Sequence, residues 1–288
     1  AFFEWMLERV AEEQCEILLI AGDIFDTTAP SNRAQKLYYT FLMRAAQTCC
    51  ENIVIIGGNH DSASLLQAPK ELLTLLDVHV VGAMGEEPDE EIIPITNDKG
   101  ILKALICAVP YLRDRDVRKV AVGESIDEKQ QKLVQGVKEH YAVVVKRAVE
   151  LRGTQKEVPI IALGHLFAAG GELHEGDGVR NLYIGNLGHI NAELFPKEID
   201  YLALGHLHIP QKVGGRDHYR YSGSPLPMGF GEAYQKKQIN VVTFTGKIPA
   251  IESIEVPLFQ SLERASGSME DICETLKAMV ASGKSVWA

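Results

Sequence analysis

The stretch I-L-L-I-A-G-D-I-F-D, residues 17–26, decides how the rest of the chain is read. Five apolar residues run without alternation into Gly22, and Asp23 follows at once. A short continuous apolar run closed by glycine is the pattern of a strand buried on both faces. Glycine at such an end permits a tight turn and a close backbone approach. The same layout returns three times. Residues 53–56 lead into G-N-H-D at 58–61, 158–163 into G-H at 164–165, and 201–204 into G-H-L-H at 205–208.

In α/β sheets ligands gather beyond the carboxyl ends of strands. The residues collected there are Asp23, Asn59, His165, His206 and His208. A carboxylate can bridge two cations, and imidazoles with an amide oxygen suit borderline metals such as manganese, iron or zinc. His206 and His208 lie two apart, so in an extended segment both would face one way. His60 sits beside Asn59 with no ligand role required of it and is a candidate proton donor or stabiliser of the transition state. Any one of these motifs alone is weak: a strand-end Asp is usually a turn residue. Their recurrence after four separate strands is what gives them weight. His79, His140, His174, His189 and His218 lack the strand-end glycine and read as surface or loop residues.

Around these motifs the chain alternates helix and strand. Phe3, Met6, Leu7 and Val10 share a helix face. Ala34, Leu37, Tyr38, Phe41 and Leu42 share another, capped by Ser31 or Asn32. Further strands are expected at 78–81, 92–95, 102–109 and 239–244, with weaker ones at 219–222 and 251–256. A long helix over 127–152 presents Leu133, Val137, Tyr141, Val144, Ala148 and Leu151 on one face. Beyond Pro257 a helix with Met269, Ile272, Leu276 and Met279 on one face precedes Val286-Trp287.

Composition bounds the function. The chain has 288 residues, 46% of them hydrophobic and 24% charged, an ordinary globular balance. Its formal charge of −10 has the wrong sign for binding nucleic acid through bulk electrostatics. Contact with DNA would need a local patch, metal ions or a partner. The five cysteines form no C-x-x-C pair and read as reduced thiols of a cytoplasmic protein. No apolar run reaches the ~18 residues of a membrane span, and no signal peptide opens the chain.

The stretches A-G-D-I-F-D-T, G-N-H-D-S, I-A-L-G-H-L, Y-L-A-L-G-H-L-H and Y-S-G-S-P (221–225) resemble the calcineurin-like metallophosphoesterases, and within them the SbcD-type nuclease subunits. The likeness runs over essentially the whole chain, and Asp26 matches the bacterial branch. It implies two packed mixed β-sheets flanked by helices over residues 1–258, with 259–288 beginning a small C-terminal α/β capping domain. It implies two divalent ions, expected to be manganese. Asp23 would bridge them, Asn59, His165 and His206 would complete one shell, and His208 would belong to the other. His60 would act on the phosphate, and Asp26, Asp61 and Ser224 would support the shell or the substrate. An N-terminal strand with a D-x-H motif is also implied. No D-x-H stands at the end of an expected strand in this sequence, so the shell shared with His208 is expected to be incomplete.

The activity implied is phosphodiester hydrolysis in DNA repair, replication and recombination, exonucleolytic on duplex ends and endonucleolytic on single strands. The implied partners are DNA, an SbcC-like coiled-coil ATPase and a second copy of the chain, with no membrane. Two alternatives stand beside it: a phosphoesterase of the same fold acting on nucleotides or other small esters, and an interaction module that has lost the chemistry.

Overall fold

The computed structural model describes residues 1–118, 123–168, 192–263, 265–281 and 286–287. Two sheets make its centre. The smaller has three parallel strands in the order β1 (Ile17–Ala21), β2 (Asn52–Ile56) and β3 (Val78–Val81). The larger is mixed and contains β4 (Ile92–Thr96), β5 (Leu102–Ala108), β6 (Ile160–His165), β7 (Tyr201–Gly205), β8 (Gln211–Val213) and β9 (Arg216–Tyr221). Its order is β4-β5-β6-β7-β9-β8, parallel from β5 to β9 and antiparallel at both edges. A separate hairpin joins β10 (Gln238–Thr245) to β11 (Ile248–Glu255).

Side-chain alternation stacks these sheets. Ile53 and Ile55 turn to the outer core of the smaller sheet, with Leu7 and Val10 of α1 (Phe2–Glu12) and Tyr38, Phe41 and Leu42 of α2 (Asn32–Ala45). Val54 and Ile56, one residue out of step, turn inward against Ile106, Ala108, Ile161 and Leu163 of the larger sheet. Leu105, Cys107, Ile160 and Ala162 face the other way, against Val137, Tyr141, Val144 and Ala148 of the long helix over Ile126–Arg152. The result is four layers: helix, sheet, sheet, helix. The period-2 arithmetic of a strand leaves no other way for one unbroken apolar run to feed two cores.

Most of the expected elements are present. Ser31 caps α2, its hydroxyl accepting from Ala34 N at 3.2 Å. Strand β6 runs through Gly164, so His165 is its last residue rather than a residue beyond it. Leu37 and Leu151 are exposed, 51% and 43%: they lie at the margins of faces whose centres are covered. The helix over Met269–Ala281 forms with no buried residue of its own. None of the five cysteines is in a disulfide. Among the described residues no helix is long and apolar enough to cross a membrane.

Candidate metal centre

Strand β1 packs on β6 and β7, so the two sheets bring their carboxyl ends to one place. Two glycines let the loops close there. A Cβ at Gly205 would lie 1.7 Å from the Ala21 carbonyl oxygen, and one at Gly58 would lie 2.1 Å from Asp23 Oδ1. Any side chain at either position would push the strand ends apart. Two ligand-type residues that directly follow a strand-end glycine sit at positive φ, Asp23 after Gly22 at 51° and His206 after Gly205 at 100°. Non-glycine residues avoid this region, and such strain persists where surrounding contacts enforce it, commonly at functional sites. The bend at His206 also means that the 206–208 segment is not the extended pair assumed from the two-residue spacing.

Asp23, His165 and His206 offer donor atoms that all lie within 4.8 Å of one another. Asn59 stands among them, its Oδ1 3.0 Å from His165 Nε2 and 3.2 Å from His206 Nδ1. Both rings are buried, at 1% and 8% exposure. His165 Nδ1 donates to the Ala21 carbonyl at 2.8 Å, an atom that can only accept. In the neutral ring Nε2 therefore carries a lone pair, yet it faces two oxygens, Asn59 Oδ1 at 3.0 Å and Asp23 Oδ2 at 3.2 Å. Lone pairs converging on one point fit a cation between them.

The electrostatics agree. Burial pushes His206 down to about 3, with the neighbouring His165 acting in the same direction, so its ring is neutral and available to a metal. Burial alone would raise the Asp23 carboxyl. The hydrogen bond and positive charge that a proton on His165 Nε2 would supply, with the His60 backbone N–H, outweigh it and bring the group down to about 2; a cation at that point would take the proton's place.

The G-N-H-D turn holds this arrangement together. Asp61 accepts from Gly58 N at 2.8 Å, Phe25 N at 2.9 Å and Ile24 N at 3.0 Å, tying the two strand-end loops to each other. His60 donates its backbone N–H to Asp23 Oδ1 at 3.0 Å, and its ring Nδ1 donates to the Asp26 carbonyl at 3.0 Å. That bond leaves Nε2 as the atom able to exchange a proton. The side chain of Asp26 is 73% exposed and 3.5 Å from His60 Nδ1.

His208 stands outside the group of three and has its own partners. Its Nδ1 is 2.7 Å from Glu232 Oε1, and Glu232 is fully buried. Lys237, 4% exposed, forms an ion pair with Glu232 and donates to the His208 carbonyl at 3.1 Å and to Ser224 Oγ at 3.0 Å. Burial raises the Glu232 carboxyl, but the bonds to His208 and Lys237 bring it below its ordinary value. Sequence reasoning placed Ser224 here and missed Glu232 and Lys237; a glutamate in G-F-G-E-A has no periodicity or motif to mark it as buried. His79, His140 and His218 pair instead with Asn52, Glu91 and the Tyr219 ring. His174 and His189 lie outside the described residues.

The calcineurin-like phosphoesterase family matches residues 1–210. With the site and fold described above, the chain belongs to that family, whose fold binds divalent metal. Its curated relatives include bacterial proteins named as the SbcD subunit of the nuclease SbcCD. That of Escherichia coli (strain K12) is 37% identical over 278 residues, covering 96% of this chain and 67% of the relative. Those of Rhodobacter capsulatus and Bacillus subtilis are 34% and 33% identical, covering 85% and 81% of this chain but 61% and 57% of their own lengths. The chain is thus a metal-dependent phosphoesterase of the SbcD nuclease kind, spanning about two thirds or less of those relatives.

Proposed function

We propose that this chain hydrolyses phosphodiester bonds of DNA, acting at duplex ends and on single strands in repair and recombination. Its working form would be a homodimer joined to an SbcC-like coiled-coil ATPase. The observation that carries the chemistry is the convergence of Asp23, Asn59 and the buried rings of His165 and His206 around one point. The relatives' names supply the substrate class and partner. The charge of −10 suits a subunit that takes its DNA affinity from an assembly.

Residue roles follow from the contacts. His165, with Nδ1 spent on Ala21, would hold a divalent ion through Nε2, with Asn59 Oδ1, His206 Nδ1 and the Asp23 carboxylate, and His208 would serve a second ion. Divalent ions held there, manganese in this reading, supply Lewis-acid polarisation of the phosphate and activation of water. His60, oriented by the Asp26 carbonyl, moves a proton at the phosphate through Nε2. Asp61 keeps the two loops in register.

The test sets cleavage of a blunt DNA duplex against hydrolysis of nucleotide monoesters and cyclic nucleotides, using the full-length protein with its ATPase partner and manganese. Release of nucleotides from duplex ends is expected. Efficient turnover of small esters with DNA left intact would overturn the nuclease reading in favour of a small-ester phosphoesterase.

A further inference from the structure

The geometry points to Glu232 as the positioning residue that sets the tautomer of His208, with Lys237 locking the carboxylate in the orientation this requires. The inference rests on the reading of His208 as a metal ligand only for its functional consequence, not for the tautomer itself.

The two oxygens of Glu232 face different company. Among the described residues Oε1 meets His208 Nδ1 alone, at 2.7 Å. Oε2 meets two donors, the Lys237 ammonium and Met228 N at 3.2 Å, with Ser224 Oγ 3.1 Å away and sharing its one proton between Oε2 and the Leu226 carbonyl at 2.9 Å. The ammonium in turn has three acceptors for its three protons, Glu232 Oε2, the His208 carbonyl and Ser224 Oγ. It therefore grips both the carboxylate and the backbone of the histidine that the carboxylate serves. An ionised carboxylate only accepts, so His208 carries a proton on Nδ1, and the neutral ring then keeps its lone pair on Nε2. A carboxylate on the far nitrogen of a ligating histidine fixes the ring and its tautomer, and losing such a partner costs roughly 10–100-fold in metal affinity.

The asymmetry makes a sharp substitution available. In Glu232→Gln the side chain keeps its shape, but one oxygen becomes an NH2. The Lys237 ammonium and Met228 N–H around Oε2 force the amide oxygen to stay on their side, so the NH2 must point at His208 Nδ1. That nitrogen must then accept, and the ring proton moves to Nε2, the nitrogen a metal would need.

The experiment is nitrogen-15 NMR of histidine-labelled, metal-free protein, with the His208 signals assigned by their loss in His208→Ala, followed by manganese titration of each variant. We expect the Nδ1–H tautomer in the wild type, the Nε2–H tautomer in Glu232→Gln, and the original tautomer in Glu232→Asp. Manganese affinity at the site that depends on His208 should fall roughly 10–100-fold in Glu232→Gln. An Nε2–H tautomer in the wild type would overturn the proposal without any variant needing to fold, and so would an unchanged tautomer in a folded Glu232→Gln. If His208→Ala binds manganese as the wild type does, the ligand reading fails while the tautomer result still stands or falls alone.

Discussion

Two clusters of buried polar groups stand close together in this molecule, and they solve the problem of buried charge in opposite ways. Around Glu232 the negative charge meets a cation of the chain's own, Lys237, and the hydrogen bonds of the ammonium are all taken. Around Asp23 the neighbours are Asn59, His165 and His206, which turn lone pairs inward, and among the described residues no lysine or arginine forms an ion pair with Asp23. The first cluster is complete as a piece of protein. The second, in the proposed reading, is completed by an ion from outside. Buried charge without an internal counter-charge is costly, so the second is where a bound cation does most.

The contrast can be broken in four ways. The largest effect belongs to Asp23→Ala, which removes the only charged donor of the open cluster. Manganese affinity should fall by more than the ~10–100-fold typical of outer partners, and hydrolysis should drop to background. Isothermal titration that finds binding intact would dissolve the distinction between the clusters. His60→Ala comes next, with turnover lower by roughly 10²–10⁴-fold and manganese affinity close to wild type. Its backbone N–H, which holds Asp23, survives the change. Loss of the metal in that variant would make His60 a ligand.

The closed cluster should fail differently. Glu232→Ala strands Lys237 as a buried, unpaired charge, so it should cost about 3–5 kcal/mol of folding stability in urea unfolding of the metal-free protein. Asp23→Ala should cost clearly less in the same assay; equal losses would mean that both clusters are structural. Ser224→Ala is the smallest change. The hydroxyl proton shared between the Leu226 carbonyl and Glu232 and one hydrogen bond from Lys237 disappear while the ion pair remains, for a loss of about 1 kcal/mol.

The same contrast explains what could be read from the sequence. The open cluster was legible because each ligand directly follows an apolar strand and a glycine, and both signals are local. Strands such as β2 were legible because Ile53, Val54, Ile55 and Ile56 are buried on both faces and so do not alternate. The closed cluster was illegible because burial of an acid is not written in its neighbours: Glu232 lies between exposed Phe230 and exposed Tyr234. Asp61 was placed near the site but without a task, since the N–H groups of Ile24 and Phe25 that it collects come from a loop more than thirty residues away. Strand β8 was missed because Gln211-Lys212-Val213 is a short polar edge with no apolar pattern. The short helices Ala63–Gln67 and Lys70–Thr74 were missed because one turn is too little for periodicity to register.

The central claim is that the Asp23 cluster is a metal site, and it meets its most direct test in anomalous diffraction from crystals grown with manganese. The account predicts an anomalous peak ~2 Å from Asp23, Asn59 Oδ1, His165 Nε2 and His206 Nδ1, the distance at which such donors bind a divalent ion. A manganese-saturated crystal with no peak among these four residues would contradict it.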